Sequence, residues 1–448
     1  MRTILITFAL LAGVGGLKST AAPAPLAATS YDVVPVTPAY INQLFEQART
    51  NQPVLRAAQA RAESAVHGAA AVRTWEDPVF SLGGVTSSSR GSNLREDGDL
   101  IYGLDQKLPL WGKAKLARAA QQSEAAVRAA DAEMRLVMLR RELAKAVYQA
   151  ALADRVVALA EQDLTLLDTL LTAAGQRYQV GAGSQVDVLR LQSERAKRTD
   201  QLKTETEQRL HDHLVINRLL NRGLHTPLPT LELPPLGPAV PFTDALLAMA
   251  SARDPNLKVM HQEIKRAEAT AQLTKRQRLP DVTLGIEGRQ YSGDAGFREG
   301  AATLGISLPW FNRKKYRSDL QRDEARVRAA EADLAEAGLA VHEQLHHFTV
   351  DLDTAHRRAL LYRDEIIPRG EQALAAAQAA WLASRGPFND VLETRRLLVE
   401  GRMEFARAVN EQHQKLSELL FVCGLDEAEK LDAPNLQPDA AKRNPKKG

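Results

Sequence analysis

Pro78-Val79-Phe80-Ser81-Leu82-Gly83 returns 202 residues later as Pro280-Asp281-Val282-Thr283-Leu284-Gly285, and Pro53 returns as Pro255 at the same shift. Leu108-Pro109 followed by Trp111 returns as Leu308-Pro309 followed by Phe311, at a shift of 200. Glu124-Ala125 and Val127-Arg128-Ala129-Ala130 return as Glu324-Ala325 and Val327-Arg328-Ala329-Ala330. Asp187-Val188-Leu189 returns as Asp390-Val391-Leu392, and Gly223 as Gly424. Solenoid repeats are only roughly 20–50 residues long. Residues 50–223 and 253–424 are therefore two copies of one domain-sized unit, expected to occupy equivalent places in one assembly.

The 448 residues carry a net charge of +3 on 58 basic and 55 acidic side chains, which gives no electrostatic case for nucleic acid. Aromatics are only 5%, and Ala and Leu abound, which favours long helices. Cys423 is the only cysteine. That excludes an intrachain disulfide and a cysteine-based zinc site, and Cys423 reads as a small buried hydrophobe. Arg2, the apolar stretch Ile4 to Leu17 and the small residues Ser19-Thr20-Ala21 read as a signal peptide over 1–21, with Leu26-Ala27-Ala28 an alternative cleavage site. No cysteine follows it, so no lipid anchor is expected. Past the signal, the best apolar run, Ala373–Ala383, falls short of the ~20 residues of a membrane helix. A seat in a membrane must then be a β-barrel.

Each half reads as a helical segment, two strands and two long helices. The first segment runs from Leu44 to Arg73, with Leu44, Ala48, Leu55, Ala58, Ala62 and Val66 on one face; its counterpart runs from Leu246 to about Arg278. Pro53 and Pro255 split or kink these segments, and Pro78 and Pro280 end them. Strands are expected at 79–86 and 100–108, then at 281–290 and 301–308, around the polar loops 87–99 and 291–300. Leu100, Tyr102, Leu104 and Leu108 alternate with Ile101, Gly103, Asp105 and Lys107. Val282, Leu284 and Ile286 oppose Asp281, Thr283, Glu287 and Arg289, and Leu304, Ile306 and Leu308 oppose Thr303, Gly305 and Ser307. The strand lengths match the ~9–11 residues of a tilted bilayer-spanning strand. Half-buried hairpins of a soluble domain would show the same alternation.

Lys113 to about Leu171 holds no Pro or Gly, and Arg313 to about Ile367 reads as its unbroken partner. Leu320, Val327, Leu334, Val341 and Phe348 recur every seven residues, a coiled-coil seam. Turns at Tyr178–Ser184 and Trp381–Pro387 lead into return helices over 186–220 and 388–420. Residues 224–242 hold the six prolines of a linker, and the tail 425–448 reads as disordered. Four strands cannot close a barrel, whose smallest natural form has eight, and open edges are not tolerated in lipid. Several chains must share one barrel; three would give twelve strands.

This order of elements resembles the outer membrane efflux protein family, the TolC-type exit ducts, over Thr37 to Gly424. The resemblance is carried by the duplication, by Leu108-Pro109-Leu110-Trp111 and Leu308-Pro309-Trp310-Phe311, and by Tyr178…Gly181…Asp187-Val188-Leu189. In the second half Trp381 replaces the tyrosine and Ser384 the glycine, while Asp390-Val391-Leu392 is kept. The resemblance implies a helix-dominated α+β membrane protein built of repeats over 37–223 and 243–424. It also implies a homotrimeric twelve-stranded outer-membrane barrel in contact with lipid, continued by a periplasmic α-helical tunnel. The implied partners are a periplasmic adaptor and an inner-membrane pump, of resistance-nodulation-division type, or a type I secretion system. No cofactor or catalysis is implied, and the cargo would be small toxic compounds or, on the heavy-metal branch, metal ions.

The family places acids at the periplasmic entrance, here Asp187, Asp390 and Glu393; its basic residue in the second turn is shifted to Arg385, and Gly386 stands in its place. Carboxylates this close to helix starts are also explained by capping, favoured by ~0.3–1 kcal/mol. Tyr178, Gly181, Gly183, Trp381 and Gly386 form the turns themselves. His342-Glu343-Gln344-Leu345-His346 spells the H-E-x-x-H of zinc peptidases. With Glu365 ~28 Å further along one helix, a third ligand is out of reach, and only weak surface metal binding at His342 and His346 is expected. His211 and His213 do not share a helix face. A secreted zinc peptidase and a soluble periplasmic coiled-coil scaffold are the competing readings.

Overall fold

The computed structural model describes residues 33–86, 98–291 and 296–425. The signal segment 1–21, residues 87–97 and 292–295 of the two polar loops, and the tail from 426 lie outside the described residues.

The chain opens with β1 (Val33–Pro35), α1 (Pro38–Asn51) and α2 (Pro53–Ala71). Thr37 caps α1 through the Tyr40 N–H at 3.2 Å, with Pro38 supplying the pre-set φ of a first turn. Pro53 cannot continue the α1 ladder, so the chain breaks at Gln52. The second half repeats this with α5 (Asp244–Arg253) and α6 (Pro255–Gln277), broken at Asp254, whose carboxylate accepts the Leu257 N–H at 2.9 Å. Both proline splits stand where the sequence puts them.

Four strands form one antiparallel sheet in the order β2 (Val79–Thr86), β3 (Gly98–Leu108), β5 (Val282–Tyr291), β6 (Phe297–Ile306). Phe80, Leu104, Ile286 and Ala302 stand side by side across it, as do Gln106, Leu284 and Leu304. The neighbouring row is Leu82, Tyr102, Gly288 and Gly300, and the Tyr102 ring lies so close to Gly288 that a Cβ there would meet it at 2.6 Å. This face is an exposed apolar belt. The opposite face carries Ser81, Gly103, Glu287 and Ala301 in one row, and Asp105, Gly285 and Thr303 in the next. The alternation is as the sequence predicts.

The fourth strand is not where the sequence puts it: it spans 297–306 rather than 301–308, and Leu308 lies outside it. The strand's only partner among the described residues, β5, starts at Val282, opposite Ile306, so the ladder ends there, and the hairpin is slipped by two residues relative to the first. Phe80 pairs with Leu104, but its repeat counterpart Val282 pairs with Ile306, not Leu304, and a bulge at Arg289/Gln290 accompanies the shift. A slip of two keeps every side chain on its face. The third strand runs 282–291, the second starts at Gly98, and residues 297–300 of the expected loop are strand.

Helices continue the sheet. α3 (Lys113–Gln179) has 67 residues, about 100 Å at 1.5 Å each, and ends eight residues beyond the expected Leu171. α4 (Gln185–Leu219) returns along it. α7 (Arg313–Leu361) is followed by a π turn at Tyr362–Ile366, then α8 (Ile367–Leu382) and α9 (Phe388–Val422). The expected unbroken helix is thus interrupted; the widened turn sits just before Pro368, which has no N–H for an α-helical ladder. The seam at Val341 continues through Leu345, Leu352, Ala355 and Ala359, all buried. The packed order is α2–α3–α6–α7 in the part next to the sheet and α4–α3–α9–α8 beyond it. Asp281, between α6 and β5, binds Lys113 at the start of α3 at 2.8 Å, tying the two halves together where sheet and helices meet.

Two equivalent cores form where the helical segments pack on the long helices: Leu44, Phe45, Leu143 and Ile216 in the first half; Leu246, Met249, Leu345 and Leu419 in the second. A third, near the turns, gathers Leu167, Leu191, Trp381, Phe388 and Val391. The proline-rich linker is packed rather than loose. Its β4 (Thr230–Glu232) pairs in parallel with β1, and the buried Asp154 accepts the Leu231 N–H at 2.8 Å. Further on, the Gln412 amide clasps Gly237, accepting its N–H and donating to its carbonyl, both at 2.9 Å. Among the described residues no helix is long and apolar enough to cross a membrane.

Candidate functional site

The two hairpin turns far from the sheet hold most of the residues singled out in the sequence. Both long helices end in the same bonded motif. Gly181 N–H donates to the Tyr178 carbonyl and Ala182 N–H to that of Arg177, at 3.0 and 2.8 Å. In the second half Ser384 and Arg385 donate to Trp381 and Ala380 at the same two distances. This ending requires a left-handed residue, here Gly181 at φ 73° and Ser384 at φ 57°. Gly183 and Gly386 serve a different need. A Cβ at either would stand 3.0 Å from the Cβ of Arg177 or Ala380, so each glycine lets the chain fold back against its own helix.

Asp187 and Asp390 are the third residues of α4 and α9. The side-chain cap of α4 is Ser184, whose hydroxyl accepts the Val186 N–H at 3.1 Å, and α9 starts at Pro387 with no side-chain cap. Both aspartates stand in a first turn, where the helix dipole favours a carboxylate. Asp187 is half-buried, and Asp390, Glu393 and Arg385 are exposed. Glu393 lines a groove of about 520 Å³ between α4 and α9 with Arg190, Lys197 and Arg396. Asp187 and Asp390 are not among the residues that line it. Tyr178 is exposed, whereas its counterpart Trp381 is buried and packs on Phe388 at 5.1 Å.

Two features escaped the sequence reading. Arg177 clasps the turns together: its guanidinium donates to the Leu382 carbonyl, to the Ser384 hydroxyl at 2.8 Å and to the Ala182 carbonyl at 3.0 Å, and lies over the Trp381 ring. Higher up, Arg395 of α9 donates to both oxygens of Asp163 on α3 at 2.7 and 2.8 Å, with both side chains buried. Arg198 of α4 stands 3.2 Å from the same carboxylate and 3.1 Å from Glu205. This ionic knot joins three helices. No sequence signal marks it, because a charge on a long helix is ordinarily a solvated one.

His342 and His346 both pack on Phe242 at the end of the linker, with ring centroids 6.0 and 5.6 Å away. Glu365 lies in the π turn, and no cluster of three metal-ligating side chains occurs among the described residues. The motif residues are engaged in packing, and their geometry gives a peptidase no support. His213 reaches Asp154 at 3.4 Å while His211 faces out, as their spacing predicts.

The chain thus combines a sheet with one apolar and one polar face and a helix of about 100 Å. The family model described as outer membrane efflux protein matches residues 44–222 and 246–425, one block on each half, and the chain belongs to that family. It is an outer-membrane duct for efflux, with its helices in the periplasm. The chain is similar to the pyoverdine export outer membrane protein OpmQ of Pseudomonas putida, with 25% identity over 416 residues, 84% of this chain and 83% of that protein. Its fold matches the outer membrane protein VceC of Vibrio cholerae with a TM-score of 0.72 at 20% identity, covering 86% of this chain and 96% of that one. It also matches the open state of the MtrE channel of Neisseria gonorrhoeae with a TM-score of 0.73 at 16% identity, covering 86% and 89%.

Proposed function

We propose that three copies of this chain close one twelve-stranded barrel and one helical tunnel, forming the passive exit duct of a tripartite efflux system. One observation carries this: the sheet stops at β2 on one side and β6 on the other, and the helical layer stops at the same sides, at α2 and α4 and at α7 and α8. Unpaired strand edges are not stable in lipid, and the two sides differ, so closure must be head to tail. Mass measurement of the detergent-solubilised particle should give three chains; a stable monomer would overturn the proposal.

Asp187, Asp390 and Glu393 then supply nine carboxylates around the periplasmic entrance, with Arg385 beside them. Such a ring attracts cations in a narrow, low-dielectric passage. The support is that Asp187 and Asp390 stand at the same position, the third residue, of the two helices that leave the turns. Replacing the three by Asn, Asn and Gln removes charge at nearly constant size. Loss of cation selectivity in bilayer conductance, with the trimer intact, is the expected result; unchanged selectivity would move the constriction elsewhere. The partners are a periplasmic adaptor and an inner-membrane pump of resistance-nodulation-division type. The cargo is a small compound chosen by the pump, in keeping with the pyoverdine export for which the Pseudomonas relative is named.

A further inference from the structure

A cavity of about 220 Å³ lies between the first half, the second half and the linker, away from both the turns and the sheet. One wall is a stripe of α3: Val137, Arg141, Ala144 and Tyr148, spaced four, three and four residues apart and so on one helix face. The facing wall is a stripe of α9: His413, Leu416, Ser417, Leu420 and Phe421. Pro234, Gly237 and Pro238 of the linker cross over it, held down by the Gln412 clasp and by His413, whose Nε2 stands 2.9 Å from the Pro235 carbonyl oxygen. Val36 and Ile41 line it as well.

The lining is mostly carbon, with a few polar groups that have spare capacity. Arg141 lies over the Phe421 ring at 4.4 Å and has no carboxylate partner among the described residues. The Tyr148 ring stacks on His413 at 5.1 Å, and its hydroxyl makes no hydrogen bond among the described residues. An unpaired guanidinium and a free phenol over an apolar floor match a small anion with a hydrophobic body. The volume lies below the roughly 300–1,000 Å³ of drug-sized sites, so the ligand is small.

We propose that this cavity binds a small aromatic or branched-chain carboxylate, its carboxylate on Arg141 and its apolar body between Ala144, Leu416 and Leu420. Binding would bridge α3, α9 and the linker, and so would stabilise the folded chain by mass action.

The test is calorimetric titration of the full-length protein in detergent with benzoate, benzamide and benzylammonium. Benzoate should bind saturably, benzamide about tenfold or more weakly, and benzylammonium not at all. Arg141→Gln should weaken benzoate about tenfold and leave benzamide unchanged. Ala144→Phe, which fills the floor, should abolish both; Tyr148→Phe, a milder change, should weaken benzoate without altering the melting temperature. Truncation after Leu425, the last lining residue, is the control for a different occupant. If benzoate binds only the truncated chain, the cavity is the seat of the chain's own tail and the proposal falls. Equal affinity for benzoate and benzylammonium, no saturable binding of benzoate, or indifference to Arg141→Gln would also overturn it.

Discussion

Ile286→Arg places a cation in the middle of the apolar belt. Ile286 is the fifth of the ten residues of β5, so at ~3.3 Å per residue it stands roughly 13–17 Å from either strand end. That is near the midplane of a ~30 Å hydrocarbon core. Its cross-strand neighbours are Leu104 and Ala302, so no acid is at hand to pair with the new charge. At that depth a lipid-facing Arg costs ~2–4 kcal/mol. Glu287→Arg, one residue on, points to the other face between Gly103 and Ala301 and should cost no more than about 1 kcal/mol, in the range of exposed substitutions. The two should thus differ by at least ~1 kcal/mol per chain, about fivefold in the folding equilibrium. Urea titration of folding into phosphatidylcholine vesicles reads the midpoint, and an unchanged slope would show that the folded state itself is intact. Equal losses at both positions, or a larger loss at Glu287, would refute the assignment of faces.

Arg395→Met leaves Asp163 buried with only Arg198 beside it and should destabilise the chain by about 3 kcal/mol; adding Asp163→Leu should cost less than the sum, with a coupling of ~1–3 kcal/mol in a double-mutant cycle. Additive effects would show that the pair does not act as a unit. Gly181→Ala puts a side chain on a left-handed residue and should lower stability by ~1–2 kcal/mol, read from thermal melting. Asp323 on α7 is buried and bonded by Arg322, by Thr274 of α6 at 2.8 Å and by Arg326; the Arg322 guanidinium foremost holds its carboxyl below the usual Asp range. With the folded value depressed, its contribution is complete above the ordinary Asp value near ~4 and is lost as pH falls through the folded value. Asp323→Asn should therefore destabilise the protein by about 1–3 kcal/mol at neutral pH and flatten the acid limb of the stability curve.

Which parts of the fold could be read in advance follows from what leaves a local pattern. Strand faces did, because Leu100, Leu104, Leu284 and Ile286 alternate with polar or small residues at the period of a pleat. The hairpin slip did not, because moving β6 by two residues preserves that pattern; only the pairing of Val282 with Ile306 exposes it. The proline breaks at Gln52 and Asp254 were legible from Pro53 and Pro255, whereas the π turn at Tyr362–Ile366 leaves no periodic mark. At the turns, the glycines and aspartates stood out by repetition. Arg177 did not, since its partners Leu382 and Ser384 lie more than 200 residues away, and Arg395 meets Asp163 across 232 residues. The linker looked featureless because its order comes from Asp154 and Gln412 on other elements.

The two unlike sides of the sheet, β2 and β6, have a consequence for inheritance. In a ring closed head to tail, each seam joins the β6 side of one chain to the β2 side of the next. A variant spoiled on one side alone still offers a sound surface on the other. It can join a growing arc and then stop it. Such an allele would act on its healthy counterparts as well as on itself: co-expressed with the normal gene, it would leave only a minority of complete rings. A null allele would merely lower their number. In the proposed ring, the side on which a mutation falls would set whether it is recessive or dominant.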